Sequence, residues 1–431
     1  MKNKPFDDKN KRSAAKKPER KSNGKPMQKT APKPERRFVP KLTFAELLEH
    51  SDHPFPAKDA KAELIQKQFA LSELWHDHFL PGKVPQIVPS PRWRNYRTTS
   101  KRKAHFSRGQ LTFSLGYTLK GGNTGAESLD AELHNIIYAQ SLSILNKEHY
   151  QVLAKALNFC ILRGSYDTAA VVLNVFQLSG TVVRKAKMFA EELTALNEKI
   201  SGVFLYFDET RSDYYFEAFR PRTQQLDFKK LSGRSLLALA LPDRPKLLYP
   251  PTVFSQVNES ILPQFIDTAM DFAALDDKTR FIDLYCGYGL FALNAAAVAR
   301  QVVGIDFEGP SIQAARANAA HLFPEQDIRF EAASVTPDAL DEQLPMPGMG
   351  REVILLDPPR NGTSDGVIAA IAARRPERVI AIYCGIDQMA KEFRLWHANG
   401  FELEKSAVFD MFPGSPNLET ILLLKQKGKR K

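Results

Sequence analysis

Two residues near the end of the chain have the types and placement for covalent chemistry. Cys384 follows the apolar run Val379–Tyr383 and stands just before a helical segment that begins near Asp387. A helix N-terminus or a nearby cation favours the thiolate, which is the nucleophilic form of cysteine. Glu419 closes the loop Phe412-Pro413-Gly414-Ser415-Pro416-Asn417-Leu418-Glu419, between the apolar runs Ala407–Met411 and Thr420–Leu424. A carboxylate there could reach the same pocket as a general base. Asp306, after the run Gln301–Ile305, and Asp357, after Glu352–Leu356, are further acids at the ends of apolar runs. Nucleophile, base and two acids make a candidate site.

The elements that must hold these residues start at Arg280–Leu290, RFIDLYCGYGL. An apolar run with Phe281, Ile282 and Leu284 leads into a turn with Gly287 and Gly289, and an alanine-rich helical stretch covers Phe291–Arg300. Glycines let the backbone approach a ligand, and a helix N-terminus offers free N–H groups. Asp306 comes about 20 residues after the glycine turn, where a nucleotide-binding α/β domain places the acid that holds ribose hydroxyls. Further strands are expected at Ile328–Glu331, Glu352–Leu356 and Val379–Tyr383, with a helix around Arg316–Ala319 and another over Asp387–Ala398. Strands alternating with helices predict a parallel sheet with ligands at the C-terminal strand ends. The turn lacks the third glycine of the dinucleotide fingerprint, which an adenosyl ligand without a pyrophosphate does not require. S-adenosylmethionine therefore fits better than NAD. The last two runs follow one another without a crossover helix, so they must be antiparallel. A parallel five-stranded sheet closed by such a hairpin is how class I methyltransferases, α/β Rossmann-like proteins, are built.

At 431 residues, with 43% hydrophobic and 25% charged residues, the chain has the composition of a soluble globular protein with several domains. No apolar run suits a membrane span, and the lysine-rich start has no signal-peptide core. Cys160, Cys286 and Cys384 form no CxxC pair, which suits a reducing cytoplasm. Cys160 lies in an apolar run and reads as a core thiol. Histidines at 50, 53, 76 and 78 lack neighbouring cysteines or spaced carboxylates, so no metal is assigned.

Charge divides the chain. The net +11 is concentrated in residues 1–40, where 14 Lys and Arg face 4 Asp and Glu; this segment is expected to be a disordered basic tail. Residues 41–84 are expected to be a small helical segment, with Phe44, Leu47 and Leu48 on one helix and Ala57–Leu80 on another. From Asp77 to Glu127 no acid intervenes, while Arg92, Arg94, Arg97, Lys101, Arg102 and Lys103 are interleaved with Trp93, Tyr96 and Phe106. Cations follow a phosphate backbone and aromatic rings stack on splayed bases, so this stretch predicts RNA contact. Residues 85–245 are expected to form an α+β middle domain. Its pattern is mostly helical over Leu129–Ile200, with strands at Thr168–Leu178, Phe204–Phe207 and Tyr214–Phe219. Residues 246–431 would be the methyltransferase domain, and a monomer is expected.

Methylation at a pyrimidine carbon needs both the cysteine and the base. C5 of uracil becomes nucleophilic once a thiolate adds to C6, and a base must afterwards remove the C5 proton. The C-terminal domain resembles the RNA uracil-5-methyltransferase family, which forms 5-methyluridine in tRNA and large-subunit rRNA. The resemblance rests on Phe254-Ser255-Gln256-Val257-Asn258, Asp283-Leu284-Tyr285-Cys286-Gly287-Tyr288-Gly289, Asp357-Pro358-Pro359-Arg360-Asn361-Gly362, and Phe412-Pro413 followed by Asn417-Leu418-Glu419-Thr420. It implies Cys384 as nucleophile and Glu419 as proton acceptor. Gln256, Tyr285, Gly287, Leu290, Asp306 and Asp357 would line the S-adenosylmethionine pocket, with Asp306 on the ribose and Cys286 packing rather than reacting. Several positions depart from the family pattern. Tyr383-Cys384-Gly385-Ile386 stands where the family usually reads Ser-Cys-Asn-Pro, Asn417 replaces a His, and Leu290 replaces a polar residue. The four-cysteine motif of some rRNA-modifying members is missing, so no iron–sulfur cluster is expected. Two other readings stay open: a class I RNA methyltransferase acting on another atom, and a non-catalytic RNA-binding protein of ribosome assembly.

Overall fold

The structure, a computed structural model, describes residues 60–78, 80–114, 129–211, 228–307, 309–345 and 350–427. The expected tail at 1–40, the helix at Phe44–Leu48 and the strand Tyr214–Phe219 lie outside the described residues. No helix among the described residues is long and apolar enough to cross a membrane.

Helix α1 (Ala60–Asp77) buries Glu63, Lys67, Ala70, Leu71, Leu74 and Trp75. Their spacing places them on one face. The apolar half of that face packs into a core shared with Ile282, Ile354, Tyr383 and Val408 from the C-terminal part of the chain. Burying side chains such as Leu71 and Leu74 stabilises this docking by roughly 1.5–3 kcal/mol each. Strand β1 (Ile87–Val88) then joins the edge of the C-terminal sheet. The segment thus packs on the C-terminal sheet.

The middle sheet starts with β2 (Thr99–Ser107) and β3 (Gln110–Ser114). Helices α2 (Glu132–Leu145) and α3 (Gln151–Ala156) lead to β4 (Leu157–Gly164) and β5 (Ala169–Val175). Helix α4 (Gly180–Leu196) is capped by Ser179, whose hydroxyl accepts from the Val182 N–H, and crosses over to β6 (Ile200–Phe207) and β7 (Phe228–Gly233). The order is β3-β2-β4-β5-β6-β7. The helical pattern expected across Leu129–Ile200 is corrected at β4. All eight β4 residues are buried, so the strand shows no polar–apolar alternation and reads like a helix core. The three helices cover one face of this sheet. The other face, with Phe159, Ile161 and Phe204, joins a core that also holds Phe265, Phe291 and Phe409.

A hairpin of β8 (Leu237–Leu239) and β9 (Leu247–Tyr249) leads to α5 (Leu262–Ala273), which opens the C-terminal fold. It continues β10 (Thr279–Leu284), α6 (Leu290–Ala295), β11 (Gln301–Asp306), α7 (Pro310–Leu322), β12 (Asp327–Ala332), α8 (Pro337–Gln343) and β13 (Arg351–Leu356). Then come α9 (Val367–Arg374), β14 (Arg378–Tyr383), α10 (Ile386–Ala398), β15 (Phe401–Phe409) and β16 (Glu419–Gln426). The sheet order is β1-β15-β16-β14-β13-β10-β11-β12. Strands β10 to β14 are parallel, and β16 lies antiparallel between β14 and β15. The parallel sheet and closing hairpin match the expectation. Helix α6 ends at Ala295, short of the expected Arg300, because the chain turns as Val298 and Ala299 both donate to the Ala295 carbonyl.

Candidate active site

Sheet register brings the chemistry together. In the β14–β16 ladder Tyr383 pairs with Thr420. The ladder ends there, with Cys384 directly after Tyr383 and Glu419 directly before Thr420, so the two lie close enough for the Glu419 carboxylate to act on the cysteine.

The surroundings of Cys384 hold it as a thiol. Burial pushes its pKa up to about 11; the Glu419 and Asp357 carboxylates add to this, while the Arg360 guanidinium, hydrogen-bonded to the cysteine, pulls the other way. Glu419 is 1% exposed, and its Oε2 has no hydrogen-bond partner. Burial raises its pKa well above the usual carboxylate range, with Asp357 adding and Arg360 opposing. Asp357 is itself raised to about 7 by burial. Arg360 thus opposes the acids at both reactive groups. Arg360 is not among the expected site residues; its place in Asp357-Pro358-Pro359-Arg360 was the available signal.

The adjacent strand ends supply more acids. Leu284 pairs with Ile305 on one side and Leu356 on the other, so the loops after β10, β11 and β13 are neighbours. Tyr285 takes φ 64° and Gly287 φ 55° to make the turn. The Asp306 carboxylate fastens it by accepting from the Gly287 N–H at 2.6 Å, and its other oxygen accepts from the neighbouring Phe307 N–H at 2.6 Å. A Cβ placed on Gly287 would meet no atom within 4 Å, so the turn presents bare backbone outward. Asp283, which the sequence reading quotes only within its motif, is fully buried and accepts from the Ala292 N–H at 2.8 Å, at the start of α6. Its other oxygen has no partner, and burial raises the pKa of Asp283, Asp306 and Tyr285. Buried Asp283 with half-buried Asp306 and Asp357 makes an acidic cluster that suits a ligand with positive charge. Leu290 is buried at the first position of α6, where its carbonyl accepts from Asn294. Cys286 is buried, and a Cβ on Gly304 would come within 2.9 Å of its sulfur.

Gln256 lies in a loop bolted to the middle sheet. The buried Arg163 guanidinium donates to the Pro251 carbonyl and the Ser255 hydroxyl, and the Thr98 N–H donates to the Val257 carbonyl at 2.8 Å. Asn258 Nδ2 donates to the Met411 carbonyl at 3.0 Å, which ties the same loop to the β15–β16 connection. Gln256 is buried beside these contacts.

The six cations expected to meet RNA do not share one surface. Arg92 is exposed and stacks over Tyr166, 4.1 Å from the ring centre. Lys101 and Lys103 lie over Phe159, and Arg97 is half-buried. Arg94 is a correction: it is buried and donates to Glu63 Oε2 at 3.1 Å. Arg102 is another, since strand alternation sends it to the opposite side from Lys101 and Lys103. There it bonds Asp130 and Asn135 and lies over Tyr138. Tyr96, 1% exposed, is not placed to stack on a base either.

Strand order, glycine turn and acidic strand ends define a class I methyltransferase architecture. Residues 238–427 match the family model described as tRNA (Uracil-5-)-methyltransferase. The chain is 33% identical over 195 residues to the 23S rRNA (uracil(1939)-C(5))-methyltransferase of Alkalilimnicola ehrlichii, covering 45% of this chain and 43% of the relative. An RNA methyltransferase of Clostridium tetani is 25% identical over 395 residues, covering 88% and 81%. With the first curated relatives, the match spans about two-fifths of their length. Among solved structures, the tRNA (uracil-54, C5)-methyltransferase of Pyrococcus abyssi, in complex with S-adenosyl-L-homocysteine, superposes with a TM-score of 0.62 at 16% identity, covering 85% of this chain and 82% of its own.

Proposed function

We propose that the chain is an S-adenosylmethionine-dependent RNA methyltransferase that forms 5-methyluridine. The observation that carries this reading is the Cys384–Glu419 pair, adjoining Tyr383–Thr420 at the end of the ladder and beside Arg360. S-adenosylmethionine supplies an electrophilic methyl group and two cationic centres. The acidic cluster and the bare Gly287 backbone fit it, with Asp306 on the ribose hydroxyls and Gln256, Tyr285, the Leu290 backbone and Asp357 around it.

Cys384 loses its proton to solvent, and Arg360 stabilises the thiolate that forms. The thiolate adds to C6 of uracil, which leaves C5 electron-rich and able to accept the methyl group. Glu419, having likewise given up its proton to solvent, then removes the C5 proton as a carboxylate. The electrons of that C–H bond restore the C5–C6 double bond and expel the Cys384 thiolate. A duplex hides C5 and C6, so the uridine must be unpaired or flipped. Arg92, Arg97, Lys101 and Lys103 are the candidates for phosphate contact, on a monomer working in a reducing cytoplasm.

The test mixes protein, S-adenosylmethionine and 5-fluorouridine-substituted RNA, followed by a denaturing gel. Fluorine cannot leave as a proton, so the covalent adduct should persist and vanish in Cys384→Ala. Methylation without an adduct would assign the chemistry to another atom.

A further inference from the structure

Glu63, Lys67 and Arg94, which lie outside the residues matched by the family model, form with Asp410 a buried ionic cluster that grips the loop in front of Glu419. On α1, Glu63 and Lys67 are 1% and 0% exposed and pair at 2.8 Å. Glu63 Oε1 accepts from the Gly414 N–H at 2.5 Å, while its Oε2 accepts from Arg94. Lys67 Nζ donates to Asp410 Oδ1 at 2.7 Å and to the Phe412 carbonyl at 3.4 Å. Two cations and two carboxylates balance one another. Burial of such a set costs several kcal/mol per ion before pairing, so apolar side chains would hold the helix as well or better. Three of the contacts go to Asp410, Phe412 and Gly414, the stretch that joins β15 to β16 and so leads to Glu419. Asn258 holds the same stretch from the other side through the Met411 carbonyl.

We propose that Glu63 and Lys67 are positioning residues for Glu419: α1 sets the β15–β16 loop so that the carboxylate meets the C5 proton. This inference rests on the function proposed above. In the step concerned, the C5 proton passes to Glu419, the C5–H electron pair forms the C5–C6 double bond, and the C6–S bond breaks to return the Cys384 thiolate. A displaced Glu419 slows this step alone, so methylated RNA stays attached to the protein.

The test is Glu63→Leu with Lys67→Met, which replaces the pair by apolar groups of similar size and leaves Arg94 and Asp410 as opposite charges. With ordinary uridine RNA, the double variant should turn over about tenfold slower or worse, the scale of effect that follows a small misplacement of a reacting group. Covalent protein–RNA adduct should accumulate while KM for S-adenosylmethionine is unchanged. Glu63→Gln keeps an acceptor for the Gly414 N–H and should restore most of the turnover. If the double variant does not fold, Lys67→Met, which frees the Phe412 carbonyl and Asp410 but keeps Glu63 on the Gly414 N–H and Arg94, should show the same accumulation. Wild-type turnover with no adduct, in a folded variant that binds S-adenosylmethionine, overturns the proposal. A wild-type protein that forms no adduct with 5-fluorouridine RNA instead overturns the functional reading beneath it.

Discussion

Cys384 and Glu419 are 35 residues apart in the chain, yet both adjoin the Tyr383–Thr420 pair that ends the β14–β16 ladder, and the Glu419 carboxylate acts on the cysteine. The terminal hairpin therefore does more than close the sheet. By inserting β16 beside β14, it delivers a carboxylate to the cysteine at the end of the parallel strands. Neither residue needs a long loop to find the other.

This relationship predicts opposite fates for two variants. Cys384→Ala should form no covalent complex with RNA. Glu419→Gln should form it and fail to release it, because an amide cannot take the C5 proton. A positioned base contributes about 10²–10⁴-fold, so release should slow on that scale. Single-turnover assays resolved on denaturing gels would report both. Release from Glu419→Gln at the wild-type rate would assign the base elsewhere.

Arg360 opposes burial and two carboxylates at Cys384, whose thiol is pushed up to about 11. Removing the cation must raise it further. At pH 8 the thiolate fraction is the reactive one, so Arg360→Met should be alkylated by iodoacetamide several-fold more slowly than wild type; each unit of upward shift lowers that fraction about tenfold. In both proteins the rate should climb as pH rises toward 11. An unchanged rate in the variant would show that Arg360 does not act on the thiol.

How much of this was legible in the sequence follows from which signals are local. Strand β10, the glycine turn and Asp306 stand in one short segment, so spacing alone located them. The hairpin was legible because no crossover helix separates its strands. Strand β4 was not, because burial on both faces erased the alternation that marks a strand. Glu63 and Lys67 have the i,i+4 spacing of an exposed surface pair; their partners Asp410 and Gly414 lie more than 340 positions away. Arg94 and Arg102 counted as free cations until the fold supplied Glu63 and Asp130. Composition shows how many charges exist. Only tertiary contacts show which are neutralised.

Asp306 fastens the glycine turn with one oxygen, on the Gly287 N–H, and accepts from the Phe307 N–H with the other, while standing at the expected ribose position. Asp306→Asn replaces one acceptor oxygen by an N–H₂ group and removes the charge. Loss of a hydrogen bond to a charged group costs about 1.5–3 kcal/mol, so binding of S-adenosylmethionine should weaken about 10- to 100-fold. Titration calorimetry would measure this directly. The RNA adduct with 5-fluorouridine should need correspondingly more S-adenosylmethionine to form. Unchanged affinity would remove Asp306 from the pocket.

The middle sheet carries a pH-dependent weakness of its own. His134 is 0% exposed beneath β2; its Nδ1 meets the Ser100 hydroxyl at 2.9 Å, and its Nε2 has no partner. Burial, reinforced by Arg102 and Arg97, lowers its pKa from 6.5 to about 3. The unfolded chain takes up a proton at this histidine below pH 6.5, whereas the folded chain does so only near pH 3. Stability from this group is therefore present above pH 6.5 and drains away as pH falls toward 3, at up to about 1.4 kcal/mol per unit. Half-buried Asp357 acts in the other direction, because its folded pKa is raised to about 7 and it takes up its proton first in the folded state. The comparison must then be between proteins that differ only at position 134. His134→Gln keeps a polar group for Ser100 but cannot titrate. Its urea midpoint should fall less steeply than that of wild type between pH 6.5 and 4, even if it starts lower at pH 7. Parallel curves for the two proteins would mean that His134 does not link the middle sheet to pH.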